Sequence, residues 1–306
     1  MRAVVLAGGT GGAKLAAGMQ EILGEDLAVV VNTADDIEIL GVHVSPDPDL
    51  VTYWLAGEID EERGWGIRGD SFTAFERLVE LGAPDWFGLS DRDLATCLRR
   101  RELLDAGERM TDVQRGIAAA LGVRARVLPM CDEPVRTRVR TPSGWVGLQE
   151  FLVRDGSRPA ILEFALDGIE SAVPTPEATE AIAEADAIVI GPSNPVISIG
   201  PILAVAGMRE VIEDASAPVI AVSPYVGGRI LKGPTDEFMS VAGHARGTAG
   251  VAAIYAGLLD GLVVDAGGGG STAEGVETLE VPTLMDSAAT RRELARHVLD
   301  FAATLG

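Results

Sequence analysis

Apolar residues fall into three rhythms along this chain. Short unbroken runs, "RAVVLA" (2–7) and "LAVVVN" (27–32), read as strands buried on both faces. Between them "AKLAAGMQEIL" (13–23) carries Leu15, Met19, Ile22 and Leu23 at helical spacing, and Gly24 can end that helix. Strand, glycine turn, helix, strand is the opening of a doubly wound, mainly parallel Rossmann-like α/β sheet. From about 50 to 122 the pattern is helical. Phe72, Phe75, Leu78 and Val79 form one face behind an Asp70 or Ser71 cap. Ser90 can cap "DRDLATCLRRRELLDAG", and Thr111 with Gln114 has capping-box spacing. From about 124 to 167 the period changes to two, and "RVRT", "PSG" and "WVGLQEFLV" predict a β-hairpin sub-domain.

The buried-strand rhythm then returns in "AIVIG" (187–191), "PVIAVS" (218–223) and "LVVD" (262–265). Thr175-Pro176 is a cap and first-turn pair, "AGGGGSTAEG" (266–275) reads as a flexible loop, and a last helix is expected from about Ser287 to Leu305. The chain of 306 residues reads as a single α/β domain carrying the helical segment and the β insertion. No apolar run has the length of a membrane span, and no signal-peptide core opens the chain, so a cytoplasmic location is expected.

Charge narrows the partners. The formal net charge is −21, which disfavours nucleic acid. Lys14 and Lys232 are the only lysines, so both are candidate anion ligands against a background of arginine. Cys97 and Cys131 have no metal-ligand spacing and read as buried thiols.

The glycine loop "VVLAGGTGGAKL" (4–15) fits neither standard phosphate motif. A dinucleotide fingerprint starting at Gly9 and Gly11 has Lys14 at its third position. A P-loop needs Ser or Thr after the lysine, and Leu15 stands there. Gly8, Gly9, Thr10, Gly11, Gly12 and Lys14 can still bring backbone amides and a helix N-terminus to an anion. The next loop, "NTADDIEILGVHVSPDPD" (32–49), carries Asp35, Asp36, Asp47 and Asp49 at the end of the second strand. Such carboxylates suit Mg²⁺, although an acidic chain also places them on plain solvated loops. His43 in the same loop reads as structural. Trp65 in "RGWGIRGDS" (63–71) suits stacking on a flat ring or anchoring its loop, and both readings stay open. Ser193 and Asn194, between prolines in "IGPSNPVISIGP" (190–201), form a stiff polar turn. "SPYVGGRILKGP" (223–234) adds Lys232. The residues show no nucleophile elbow, which fits phosphoryl-type transfer.

In order, "LAGGTGGAKL", "VVVNTADD", "SPDPD", "RGWG", "DRDLAT", "LPM", "GPSNPVISIGPIL" and "SPYVGGRILKGP" closely resemble the 2-phospho-L-lactate transferase family of coenzyme F-420 biosynthesis. The resemblance runs from residue 1 to about 265. It implies a transferase using Mg²⁺. The acceptor would be the deazaflavin Fo, and the donor a guanosine diphosphate linked to phospholactate or phosphoenolpyruvate. A ribityl hydroxyl of Fo would attack the distal phosphorus and GMP would leave. By the same resemblance Asp49 contacts Fo, with Asn32, Thr33 and Trp65 nearby, and Gly88 stands where some relatives have a lysine. Asp35 and Asp36 would hold the metal with Asp49, and Asp36 and Asp49 would be the catalytic pair. The Gly8–Gly12 loop, Lys14, Ser193, Asn194 and Lys232 would line the nucleotide and phosphate cleft. A homodimer is implied. Two other readings compete. One is a regulatory protein binding UDP-N-acetylglucosamine, as in a sister family with a similar glycine loop. The other is a nicotinamide-dependent oxidoreductase.

Overall fold

The structure, a computed structural model, describes residues 1–267 and 275–306. The opening unit is β1 (Ala3–Ala7), α1 (Gly9–Leu23) and β2 (Leu27–Val31). A hairpin of β3 (Ile37–Ile39) and β4 (Val42–Val44) leads into α2 (Pro46–Ala56). Three helices follow, α3 (Thr73–Glu80), α4 (Asp91–Asp105) and α5 (Met110–Ala120), before β5 (Arg126–Pro129). Next come β6 (Arg136–Thr141), β7 (Gly144–Gly147) and β8 (Glu163–Asp167), a small antiparallel sheet in the order β7-β6-β8. The chain returns through α6 (Pro176–Ala183), β9 (Ala187–Ile190), α7 (Ile199–Ala204), α8 (Met208–Glu213) and β10 (Val219–Val222). A tight hairpin, β11 (Tyr225–Val226) and β12 (Arg229–Ile230), precedes α9 (Thr235–Val241) and α10 (Thr248–Ile254). β13 (Gly261–Asp265), β14 (Glu277–Val281) and α11 (Ala288–Leu305) close the chain.

The main sheet has seven strands in the order β14-β13-β10-β9-β1-β2-β5, all paired in parallel. Alternate residues of β1 feed opposite layers. Ala3, Val5 and Ala7 pack with α1, α2 and α11, while Val4 and Leu6 pack with the layer holding α6 to α10 and Phe151. This is the expected doubly wound α/β fold. The strand order reverses between β1 and β9, so ligands belong in the crevice beyond their carboxyl ends.

Several local expectations change. α1 begins at Gly9, so the glycine stretch is the first turn of the helix rather than a loop ahead of it. The acidic stretch after β2 folds into the β3–β4 hairpin, and Asp47 and Asp49 lie in the first turn of α2. The Thr111–Gln114 capping box does not form. Asp132 takes its place, accepting from Thr111 N and Oγ1, while Gln114 donates to Thr52. α3 starts after Phe72 with no side-chain cap, and Asp91 accepts from Ala74 N instead. The run after β7 is a π-helical turn, Glu150–Arg154, whose Glu150 carboxylate accepts from Gly147 N. Thr175 and Ser287 cap α6 and α11 as expected. The glycine stretch expected to be a flexible loop falls mostly on residues 268–274, outside the described residues. Among the described residues no helix is long and apolar enough to cross a membrane.

Candidate functional site

The first wall of the crevice is the β1–α1 turn against the loop after β9. Gly8 N donates to Ser193 Oγ (3.2 Å) and Gly9 N to Asp47 Oδ1 (2.6 Å). The glycines are there because two backbones touch. A Cβ on Gly11 would lie 2.0 Å from the Pro192 carbonyl oxygen, and one on Gly12 2.6 Å from Ser193 Oγ. Gly9 also adopts φ +66°, which favours glycine. The N-cap, Gly8, has no side chain, and the first turn of α1 carries no acid of its own. Asp47 takes the Gly9 amide, and the amides of Thr10 and Gly11 present the positive end of a helix of 15 residues to the crevice. Asn194 shapes this wall from behind. Its Oδ1 accepts from Val196 N (2.9 Å) and Ile197 N (3.2 Å), and its Nδ2 donates to Thr235 Oγ1 (3.2 Å).

The second wall is acidic and buried, with Asn32 at its centre. Asn32 Nδ2 donates to Asp35 Oδ1 (3.1 Å) and Asp47 Oδ2 (2.9 Å), and Oδ1 accepts from Ala34 N (2.9 Å). Thr33 Oγ1 lies beside Cys131 Sγ at 3.9 Å. Asp36 Oδ2 sits 2.8 Å from His43 Nε2, and His43 Nδ1 sits 2.7 Å from Glu38 Oε1. Asp36 Oδ1 is buried with no partner. Burial raises Asp47 to about 6. Burial and then the Asp47 charge hold Asp35 well above the usual carboxylate range. These buried carboxylates act on one another through charge and Asp36 keeps one oxygen without a partner, so a cation here would offset both burial and repulsion. Among the described residues, however, only Asp49, Asp93 and Cys97 bring three ligand atoms within 4.8 Å of one another.

Asp49 lies within charge range of Asp36 but is held in an ion pair. Its two oxygens are forked by Arg100, Nη1 donating to Oδ2 at 2.9 Å and Nη2 to Oδ1. Arg100 is fully buried on α4, and its Nη1 also donates to the His43 carbonyl (3.3 Å) and reaches Cys97 Sγ (3.9 Å). Tyr53 OH donates to Asp93 Oδ1 (2.8 Å), and burial, then the Asp49 charge, raises Asp93 to about 7. Asp49, Asp93 and Cys97 place one ligand atom each within 4.8 Å of one another. The Arg100 guanidinium already supplies the positive charge among them. Of the three carboxylates expected on a metal, Asp35 and Asp36 interact through charge with Asp47, and Asp49 is in an ion pair.

The two lysines lie within charge range of one another at a third place. Lys14 Nζ donates to the Met285 carbonyl (2.9 Å) and lies 5.5 Å from the Trp54 ring centroid. Burial, then the Arg291 charge, lowers its pKa, and Lys232 adds to the effect. Lys232 Nζ lies 3.4 Å from where a Cβ on Gly64 would stand, which puts it against the "RGWG" turn. There Trp65 is 42% exposed, meets Phe72 edge to face at 6.2 Å, and lies with it under the Arg63 guanidinium. A Cβ on Gly88 would lie 3.7 Å from both Trp65 and Phe72. Gly88 and Trp65, expected on one substrate, are therefore neighbours.

The comparisons with known proteins agree with one another. The family profile described as 2-phospho-L-lactate transferase CofD matches residues 3–300. The chain belongs to the CofD family. A phosphoenolpyruvate transferase of Streptomyces griseus is 40% identical, with 99% of this chain and 98% of that protein covered. A 2-phospho-L-lactate transferase of Methanosarcina acetivorans is 39% identical over 97% of each chain. A crystal structure of a upf0052 family protein from Bacillus halodurans superposes with a TM-score of 0.62 at 18% identity. It covers 97% of this chain and 98% of that one, and it supports the fold.

Two residues buried around Asp49, namely Asp93 and Arg100, were not singled out in the sequence. Arg100 hides in "CLRRRE", where exposed arginines are the ordinary expectation. Its signal was spacing. Asp93, Cys97 and Arg100 recur at i, i+4 and i+7, a buried stripe made of polar residues.

Proposed function

We propose that this CofD-family transferase moves a phospholactyl or enolpyruvyl-phosphate group from a guanosine diphosphate-linked donor to a ribityl hydroxyl of Fo. The acceptor oxygen bonds to the distal phosphorus. The bond from that phosphorus to the bridging oxygen breaks, GMP carries the electron pair away, and the hydroxyl proton is released. One observation carries this reading. A glycine helix terminus and a set of buried carboxylates meet at one crevice, where Asp47 takes the first amide of α1, Gly9 N.

The division of labour follows from charge. The α1 terminus and Ser193 would seat the diphosphate. Asp35, Asp36 and Asp47 would hold Mg²⁺, and the Asp36 oxygen that has no hydrogen-bond partner is free to ligate it. When bound, the metal neutralises charge that builds on the phosphoryl oxygens. Asp49 would accept a hydrogen bond from Fo, and Trp65 beside Gly88 offers the ring a stacking face. Asn32 holds Asp35 and Asp47 at fixed separation.

The test is a mass-spectrometric transfer assay with purified protein, Mg²⁺, Fo and each guanylylated donor in turn. A new Fo phosphodiester together with GMP is expected, and the faster donor identifies the acid. A folded protein that makes no product with either donor, yet is stabilised by UDP-N-acetylglucosamine, would replace this reading with nucleotide-sugar binding.

A further inference from the structure

Arg100 is an expensive residue to bury. Its side chain is fully enclosed, and its Nε has no hydrogen-bond partner. Well-packed apolar replacements of buried ion pairs are often neutral or stabilising. Stability alone therefore gives a weak reason for this arginine. Its geometry gives a stronger one. The planar guanidinium grips both Asp49 oxygens, which fixes the plane of the carboxylate as well as its position. The same Nη1 donates to the carbonyl of His43, and the ring of His43 holds Asp36. Asp49 on α2 and Asp36 before β3 are thus referenced to one another through a single side chain of α4.

We propose that Arg100 is a positioning residue of the transfer reaction, orienting Asp49 toward the acceptor and keying that orientation to the hairpin that carries Asp36. The assignment rests on the transferase reading, in which Asp49 meets Fo. It assigns Arg100 no contact with substrate. A lysine would keep the charge and lose the fork, because its ammonium is a point charge on a flexible stem.

The experiment uses the wild-type protein and four variants: Arg100→Lys, Arg100→Met, Asp49→Asn and the charge-neutral pair Asp49→Asn/Arg100→Met. Kinetics with each substrate varied, Fo binding by calorimetry, and thermal midpoints are measured on all five. Arg100→Lys is expected to remain folded with donor KM within about twofold, while kcat/KM for Fo falls about 100-fold, the scale of a misplaced reacting group. Arg100→Met is expected to weaken Fo binding about tenfold in the wild-type background, the loss of roughly one charged hydrogen bond. In the Asp49→Asn background the same change should cost less than about twofold, because Arg100 then has no carboxylate to orient. The double variant covers the case in which Arg100→Met alone fails to fold.

Wild-type kcat/KM for Fo in Arg100→Lys overturns the assignment. So does an equal loss of Fo binding from Arg100→Met in both backgrounds, or a loss that only follows the folded fraction. A wild-type protein that binds Fo but forms no product, with the coupling intact, overturns the transfer reading and leaves Arg100 orienting Asp49 for binding. Absence of both binding and product overturns both.

Discussion

The glycine wall and the carboxylate wall are joined by hydrogen bonds from Gly9 N to Asp47 and from Asn32 Nδ2 to the Ile197 carbonyl, but different forces hold them. Gly8 to Gly12 and Pro192 to Asn194 contain no ionisable side chain. Their geometry comes from backbone contact and a left-handed turn at Gly9. Asp35, Asp36, Asp47 and Asp49 are all buried, and their geometry comes from Asn32, His43 and Arg100 pulling on charge. A wall set by contact is indifferent to pH and cations and intolerant of added atoms. A wall set by buried charge tolerates substitution of shape but responds to protons and metal. That pairing suits the proposed reaction: a donor diphosphate would meet a rigid cradle, and the compensating charge would arrive with a cation.

The contrast breaks most sharply at Gly11. A methyl there meets a backbone carbonyl at 2.0 Å, which no rotamer change can relieve. Gly11→Ala is expected to cost about 3 kcal/mol or more, the range of overpacking in a rigid contact. Gly9→Ala has open space nearby, so only its φ of +66° is strained and about 1 kcal/mol is expected. Urea denaturation of both variants measures the difference. Equal small effects would mean that the two loops are not held backbone to backbone.

The opposite wall should respond to protons. In the metal-free protein Asp47 is raised from the ordinary value to about 6, and Asp93 to about 7. A raised folded pKa gives a stability contribution fully present below the unfolded pKa and lost as pH rises through the folded one. Stability of the metal-free chain should therefore fall between about pH 4 and pH 7, by on the order of 3 kcal/mol for Asp47 alone. Mg²⁺ should offset that loss, so its thermal shift should be larger at pH 7.5 than at pH 5, and Asp47→Asn should flatten the profile. A Mg²⁺ shift independent of pH would separate the cation from these carboxylates.

Asp36→Asn tests the same wall more narrowly. It keeps the size of the side chain and replaces a carboxylate whose free oxygen is buried without a partner. Affinity for Mg²⁺ or Mn²⁺ by calorimetry should fall at least about tenfold. An unchanged affinity would place the cation away from Asp36.

These contrasts also mark what could be read in the sequence. The unbroken runs of β1, β2, β9, β10 and β13 are legible because parallel strands bury both faces, and periodicity sees burial directly. β14 was missed because "ETLEV" alternates as an edge strand and follows a glycine-rich stretch. The start of α1 was misplaced because glycines argue against helix locally, and only contact with Pro192 and Ser193 explains them there. Asp35, Asp36 and Asp49 stood out as acids at a strand end. Their sorting into a pocket around Asn32 and a fork on Arg100 depends on α4, more than forty residues away in sequence, and no local pattern carries that.

The smallest expected effect separates the two lysines. Lys14 is partly enclosed and donates to Met285, so Lys14→Ala loses packing on Trp54 as well as a charged hydrogen bond, and about 1–2 kcal/mol of stability should go with it. Lys232 is exposed beside Gly64, and Lys232→Ala should stay within about 0.5 kcal/mol of wild type. Its effect should appear in the donor instead. A solvent-exposed ammonium near an anionic ligand acts through screened charge, so donor KM should rise about threefold at low salt, a difference that shrinks as salt is added. Kinetics at two ionic strengths measure both. A donor KM that is unchanged at low salt would remove Lys232 from the cleft and leave the α1 terminus to hold the diphosphate without it.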